Sequence, residues 1–199
     1  VIPYWEKWMK TFPDLYALSL ADEQDVLMQW QGLGYYSRAK RIYLSSKLLI
    51  KLIGKKNSLN PKSWPIEIDE WMSLPGIGRS TAGSIISSSF DLPVPILDGN
   101  VKRILTRLIA SNKQSSRDTK RLWGLSNMLL SNKSPRNFNQ ALMDLGSKVC
   151  TSQNPRCSYC PLQNDCLAKI KYDPNNFPIK IMKSPKPLEE IGLGIIFNK

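Results

Sequence analysis

Four cysteines lie close together near the end of the sequence, and no others occur in it: Cys150, Cys157, Cys160 and Cys166. Thiols this close form either two disulfides or one metal centre, and a reduced compartment favours the metal. The intervals of six, two and five residues contain a single C-x2-C pair. Structural zinc sites usually have two such pairs, so the spacing favours a 4Fe-4S cluster and leaves zinc as the alternative. The loop contains no histidine, and four thiolates leave no ligand position open for a reaction, so we expect a structural role.

The sequence contains no histidine at all. Ser-His and Cys-His nucleophile pairs, histidine-based zinc sites and HExxH hydrolases are therefore excluded.

A candidate catalytic carboxylate is Asp98, which occupies the expected N-cap position of a helix beginning near Asn100. By itself this position indicates only a capping residue, worth about 1 kcal/mol. However, Pro93 and Pro95 stiffen the segment that leads to it. A carboxylate fixed at a helix N-terminus could also stabilise positive charge developing on a sugar.

A glycine-rich turn, residues 74–78 (LPGIG), separates two predicted helices. Its glycines permit positive φ and a close backbone approach, and Ile77 is expected to plug between the helices. The unpaired N–H groups of the turn and of the following helix could face an anion. A turn that simply connects two helices would have the same sequence pattern, so that alternative stays open. The candidate nucleic-acid contacts here are Leu74, Gly76, Ile77, Gly78, Arg79 and Ser80.

The charge balance points to a polyanionic partner. The 199 residues include 28 Lys and Arg against 16 Asp and Glu, a formal net charge of +12. Residues 38–56 carry seven basic side chains and no acid. Nucleic acid is the favoured partner, and a merely solubilising surface is the alternative.

The elements that would position these residues are helices. Apolar residues recur at helical spacing, with little strand alternation before the end, which predicts an all-α fold. A capping box at Ser19 and Asp22 predicts one short helix. The other helices are predicted at 36–54, 66–72, from 79, from 100, around 122–129 and from Pro135 after Ser134.

The final part of the sequence differs in composition. Prolines and lysines after Ala168 predict a linker, and residues 191–197 read as a first strand of a further domain. No apolar stretch reaches the roughly 18 residues of a membrane span, and Glu6 and Lys7 interrupt the first segment where a secretory signal would be apolar. We therefore expect a cytosolic, nucleoid-associated protein without a membrane partner.

Several motifs together resemble the helix-hairpin-helix Gly/Pro-Asp superfamily of DNA repair glycosylases. The hairpin (74–83), Asp98 and the cysteine loop occur in the order of that superfamily. The segments 32–39 (GLGYYSRA), 96–103 (ILDGNVKR) and 139–146 (NQALMDLG) resemble its adenine DNA glycosylases of MutY type. The resemblance implies a six-helix barrel lobe (1–92), an iron-sulfur lobe (93–170), and a linker with the start of a Nudix-like domain (171–199).

The resemblance also implies an activity. Such enzymes act, as monomers, on double-stranded DNA: they flip out an adenine mispaired with 8-oxoguanine or guanine and hydrolyse its N-glycosidic bond. Asp98 matches the aspartate that stabilises the sugar cation, Asn100 orients it, and Lys102 lies on the DNA face. Tyr35 matches a tyrosine that wedges into the base stack, although taken alone it reads as a core aromatic. Ser80 stands where lyases carry a lysine, so base removal without strand cleavage is expected.

The match is incomplete at both ends. The family's general-acid glutamate and the Gln-Gln-Thr segment after it precede the point where this sequence begins, and Glu6 does not replace them. We expect the 199 residues alone to bind DNA but excise adenine weakly or not at all. Two other functions stay open: an endonuclease III-like glycosylase and lyase for oxidised pyrimidines, and a noncatalytic iron-sulfur DNA-binding module.

Overall fold

A computed structural model describes residues 2–114, 117–179 and 192 of the chain. These residues form α-helices, short 3-10 turns and loops, and no strand is present among them, which confirms the all-α prediction. The ten helices are α1 (Ile2–Thr11), α2 (Leu15–Leu20), α3 (Glu23–Gln29), α4 (Tyr36–Ile53), α5 (Ile68–Met72), α6 (Arg79–Phe90), α7 (Gly99–Leu108), α8 (Thr119–Leu129), α9 (Pro135–Lys148) and α10 (Leu167–Lys171).

The helix boundaries follow local chemistry where the sequence carries a clear signal. Helix α4 ends at Gly54, which has a φ of +79°. Helix α7 begins after Asp98, whose side chain accepts a hydrogen bond from the backbone N–H of Val101. Helix α9 begins with Pro135, where the missing N–H costs nothing. These three boundaries were predicted correctly.

The beginning of the chain differs from the prediction. The capping box at Ser19 and Asp22 is wrong, because Ser19 lies inside α2 and its hydroxyl donates to the carbonyl of Tyr16 at 2.7 Å. Asp22 does precede α3, but its side chain makes no capping bond. Helix α1 was not predicted from the sequence, and none of its residues is buried.

Three hydrophobic clusters form the core. One joins the first helices through Phe12, Leu18 and Val26, and a second packs Leu49 and Trp71 with residues of α6. The third surrounds α7 and lies entirely in the later part of the chain: Ile96, Leu97, Val101, Ile104, Leu105, Leu122 and Leu142. The predicted lobe boundary between residues 92 and 93 stays a prediction.

Two glycines allow the elements around Asp98 to approach each other closely. A Cβ atom at Gly83 of α6 would collide with the backbone carbonyl oxygen of Pro95. A Cβ atom at Gly146 of α9 would lie 2.5 Å from the Cβ of Asn100 on α7. The segment that leads into α7 therefore lies directly against α6, and the start of α7 lies directly against α9.

The segment after Ala168 is more ordered than its composition predicts. Helix α10 extends to Lys171, and Asp173 caps a 3-10 turn at Pro174–Asn176. The strand predicted at residues 191–197 lies, apart from residue 192, outside the described residues. Within the described ranges, no helix has the length and apolar character needed to cross a membrane.

The contact at Gly146 gives a test of this packing. We expect Gly146→Ala to lower the free energy of unfolding by about 1–3 kcal/mol, because the added methyl group displaces Asn100 or separates two helices. Gly124→Ala is the matched control, since Gly124 lies inside α8 with open space around its missing Cβ. The control should raise the free energy of unfolding by about 0.5–1 kcal/mol. Urea unfolding measures both, and equal effects would contradict the close approach.

Candidate functional site

Asp98 is half-buried at the start of α7, and both of its carboxylate oxygens are held. One oxygen accepts the backbone N–H of Val101 at 2.8 Å. The other accepts the side-chain amide of Asn100 at 3.2 Å. The Asp98 carboxylate therefore caps α7 with one oxygen while Asn100 orients it through the other, and the two bonds hold the carboxylate in one direction.

The hydrogen bonds continue from Asn100 to the cysteine loop. Arg103 donates to the side-chain oxygen of Asn100 at 2.9 Å and to the carbonyl of Gly146 at 2.7 Å. Its Nε donates to the carbonyl of Cys150 at 2.8 Å. An unbroken chain of hydrogen bonds thus runs from the Asp98 carboxylate to the backbone of the first cysteine.

One turn further along α7, Arg107 organises the cysteine loop itself. It is 1% exposed. Its guanidinium donates to the carbonyls of Thr151 at 2.7 Å and Ser152 at 3.3 Å. It also donates to the sulfur of Cys150 at 3.2 Å. On its other side it binds the carbonyls of Pro174 and Phe177 at 2.9 and 3.0 Å, so the turn after α10 is attached to the same side chain.

All four cysteines line one small cavity together with Arg107. Burial raises the pKa of the Cys157 thiol, and the neighbouring Cys150 and Cys166 raise it further, while Lys169 and Arg107 oppose the shift. The pKa of Cys160 is also raised, mainly by burial. Thiolates that repel one another in this way are stabilised when they share a cation.

The donor set of this cavity fits a metal centre. Four thiols without histidine suit either tetrahedral zinc or an iron-sulfur cluster. In the part of the chain that the structure describes, no three histidine, cysteine or acidic side chains are grouped closely enough to hold one ion. The four cysteine side chains that line this cavity are the residues that could hold such a centre.

The hairpin has the predicted turn. Gly76 has a φ of +79°, and the N–H of Ile77 donates to the carbonyl of Leu74 at 3.2 Å. Ile77 is half-buried against the core cluster of α5 and α6, as predicted for a plug between helices. Gly78 is exposed, and nothing lies within 4 Å of its missing Cβ. A large anion can therefore approach the backbone here.

Three predicted contacts around the hairpin have internal partners. The Leu74 side chain is only 5% exposed, because it packs into the core beneath the turn and supports the hairpin from within; a contact of Leu74 with a partner stays a prediction. The guanidinium of Arg79 lies over the Trp123 ring, 4.3 Å from its centroid. The hydroxyl of Ser80 accepts the backbone N–H of Leu97 at 3.0 Å. That last bond ties the hairpin helix to the residue before Asp98.

Tyr35 is displayed on a strained loop. It is 83% exposed, so the alternative of a core aromatic is wrong. Its φ of +51° is unfavourable for a side-chain-bearing residue and requires support from its surroundings. The guanidinium carbon of Arg38 lies 5.1 Å from the centroid of the Trp30 ring and 6.0 Å from the centroid of the Tyr35 ring. The indole of Trp30 donates to the carbonyl of Gly34 at 2.9 Å.

Lys102 is half-buried on α7, and its backbone N–H donates to the carbonyl of Asp98 at 2.9 Å. The structure thus keeps it one turn from the candidate carboxylate.

A separate cavity of about 720 Å³ lies beside the hairpin, and Tyr35, Gly76 and Ile77 are among its lining residues. Asp98 does not line that cavity, so the cavity does not hold the candidate reacting group.

Two arginines that connect the site, Arg103 and Arg107, were not predicted from the sequence. Arg107 carried a usable signal, because it follows Ile104 by three positions and therefore falls on the apolar face of α7, where an unpaired cation is costly. Arg103 carried no such signal. Its partner carbonyl at Cys150 is 47 residues away, and only the packing of α7 against α9 brings the two together.

Comparison with known proteins identifies relatives. The model of the HhH-GPD superfamily base excision DNA repair proteins matches residues 1–126. The adenine DNA glycosylase of Buchnera aphidicola subsp. Acyrthosiphon pisum is 39% identical, over 99% of this chain and 55% of the relative. The adenine DNA glycosylase of Schizosaccharomyces pombe is 37% identical, over 94% of this chain and 42% of the relative. The chain spans about half the length of the bacterial relatives it matches.

Among solved structures, a thermostable thymine-DNA glycosylase has the same fold. Its TM-score is 0.71 at 20% identity, and the match covers 85% of this chain and 76% of the other.

The role of Arg107 can be tested by removing its donors. We expect Arg107→Met to lower the free energy of unfolding by about 3 kcal/mol or more, because several half-buried carbonyls lose the charged donor that a fully buried side chain supplies. Arg107→Lys should recover only part of this, since an ammonium lacks the planar fork of the guanidinium. Arg117→Met, at an exposed arginine, is the control and should change little. If the two methionine variants unfold at the same urea concentration, the organising role of Arg107 is refuted.

Proposed function

The chain belongs to the HhH-GPD superfamily of base excision DNA repair proteins, and from this we propose that the whole protein excises adenine from mispairs with 8-oxoguanine or guanine in double-stranded DNA. The observation that carries the proposal is the position of Asp98. It is the oriented, half-buried carboxylate that Ser80 and Leu97 tie to the hairpin helix. The similarity to adenine DNA glycosylases from a bacterium and a yeast supports adenine as the substrate base.

The proposed reaction is hydrolysis of one bond. The bond between C1′ of the deoxyribose and N9 of adenine breaks, and the bonding electrons leave with the base. Adenine takes up a proton, and a water oxygen adds to C1′, which leaves an abasic site. Positive charge develops on the sugar during this step, and a fixed carboxylate near it lowers the barrier electrostatically.

Within the described residues, Asp98 and Asn100 have defined parts in this step. Asp98 faces the sugar as the stabilising anion. Asn100 keeps the carboxylate from rotating, because its amide binds one oxygen while Val101 binds the other. Arg103 in turn holds Asn100, so the carboxylate does not have to reorganise when the charge develops.

DNA is the proposed partner of the hairpin. The backbone around Gly76 and Gly78 is exposed. N–H groups at a helix N-terminus suit phosphate oxygens without reading bases. The net charge of +12 adds sequence-independent attraction. Tyr35, exposed on its strained loop, and Lys102, near Asp98, are proposed to touch the DNA close to the mispair.

Base removal without strand cleavage is proposed because of Ser80. A lyase needs an amine to form a Schiff base with the sugar. Ser80 has none, and its hydroxyl is bound to the N–H of Leu97. This contact argues against the endonuclease III-like alternative.

A 4Fe-4S cluster is the proposed cofactor, held by Cys150, Cys157, Cys160 and Cys166, with zinc as the alternative. Such a group supplies structural cross-links between four points of a loop that has little core of its own. Around it, Arg107 donates hydrogen bonds to the sulfur of Cys150 and to the carbonyl of Thr151 in the loop. Arg103 connects the first cysteine to the start of α7. We also propose that the protein binds DNA as a monomer.

The catalytic proposal predicts the effect of Asp98→Asn. We expect single-turnover excision of adenine opposite 8-oxoguanine by the full-length protein to fall at least about a hundredfold, since an amide cannot stabilise the sugar cation. Binding to the same duplex should persist, because asparagine still caps α7. Asp118→Asn, at a buried aspartate bound to Ser111 away from the site, is the matched control. An undiminished rate in Asp98→Asn would refute the proposal.

The same full-length protein distinguishes the other two functions. Borohydride trapping of a covalent protein-DNA adduct would identify a lyase. Binding that ignores the mispair, with no release of adenine, would identify a noncatalytic module.

The cofactor proposal predicts a metal content. The purified chain should contain about four iron and four sulfide per molecule, whereas one zinc without sulfide would support the alternative. Cys160→Ala should lose most of the metal. Ser158→Ala, at an exposed residue of the same loop, should retain it. Full metal content in Cys160→Ala would contradict the assignment.

A further inference from the structure

Helix α4 lies beside the hairpin and contributes to its shape. The hydroxyl of Ser45 donates to the carbonyl of Pro75 at 3.1 Å. One turn earlier on the same face, Arg41 passes over Gly76. A Cβ atom at Gly76 would lie 2.5 Å from Cδ of Arg41 and 3.2 Å from its Cβ and Cγ. The stem of Arg41 therefore fills the space that only a glycine leaves free.

This contact carries the charge of Arg41 to the edge of the turn. The guanidinium begins one bond beyond Cδ, so it lies close to exposed Gly76 and its half-buried neighbour Ile77. Arg41 is exposed, and it lines the same cavity mouth as Gly76. The long apolar stem packs on the protein while the charged end stays in water.

The other cations of this part of α4 have partners inside the protein. Lys40 forms an ion pair with Glu23 at 2.9 Å. Arg38 stacks on Trp30. Lys47 lies over the ring of Tyr43, 4.5 Å from its centroid. No ion pair, hydrogen bond or ring contact of the Arg41 guanidinium occurs among the described residues. The stem of Arg41 is therefore held against Gly76, whereas its guanidinium has no charged partner among the described residues.

We propose that Arg41 is a further DNA-binding residue, and that its guanidinium pairs with the backbone phosphate that the hairpin contacts. The inference rests on the proposed DNA binding and adds to it a side-chain cation beside the backbone amides. A guanidinium is suited to this, because it presents two parallel N–H donors to phosphate oxygens. The pairing contributes affinity without sequence preference.

The matched test compares Arg41→Met with Lys40→Met. Both variants remove one positive charge from adjacent positions of α4 and keep an apolar stem. The measurement is the dissociation constant of the full chain for a short undamaged duplex, by fluorescence anisotropy, over a series of salt concentrations. Thermal unfolding of each variant establishes that the fold is kept.

We expect Arg41→Met to weaken binding about fivefold to tenfold at low salt and to reduce the slope of log K against log salt by about 0.9, which corresponds to one lost phosphate contact. Lys40→Met should leave the slope unchanged. Arg41→Lys should recover the slope but only part of the affinity, since an ammonium does not bind in the bidentate manner.

The outcomes separate this inference from the proposed function. If the unsubstituted chain binds the duplex and Arg41→Met matches it, or if both methionine variants lose the same slope, the role of Arg41 is overturned and DNA binding stands. If the unsubstituted chain fails to bind DNA at low salt, both proposals are overturned.

Discussion

The whole site depends on the chain of hydrogen bonds from Asp98 through Asn100 and Arg103 to Cys150. A carboxylate can stabilise a cation only where it points at the charge, and rotation about its side-chain bonds would remove that advantage. Here each link is a directional bond to a group that is itself held. The cysteine loop is therefore connected to the candidate reacting group through a continuous series of hydrogen bonds.

Close packing makes this connection geometrically feasible. The hydrogen bonds from Arg103 span only a short distance because Gly146 lets α9 lie against Asn100. On the opposite side, Gly83 lets α6 lie against Pro95, and Ser80 then binds Leu97. The hairpin and the cysteine loop thus approach the start of α7 from two sides. A displacement on either side would be transmitted to Asp98 because the interior is close-packed.

Features that depend on local chemistry could be predicted from the sequence. The N-cap at Asp98, the turn at Gly76, the end of α4 at Gly54 and the grouping of the cysteines all follow from short-range rules. Features set by long-range packing could not. Leu74 carries the same apolar character whether it faces the core or a partner. Arg107 finds acceptors at Thr151 and at Pro174, two segments whose positions depend on the complete fold.

Whether the cysteine loop positions Asp98 through Arg103 is tested most directly by measuring adenine excision and metal content together in one variant. The measurement is single-turnover adenine excision by full-length Arg103→Met, with iron and DNA affinity determined on the same sample. If the claim holds, excision falls by roughly a hundredfold while the duplex is still bound, because the carboxylate is no longer held in place. Excision at the unsubstituted rate in that variant would contradict it.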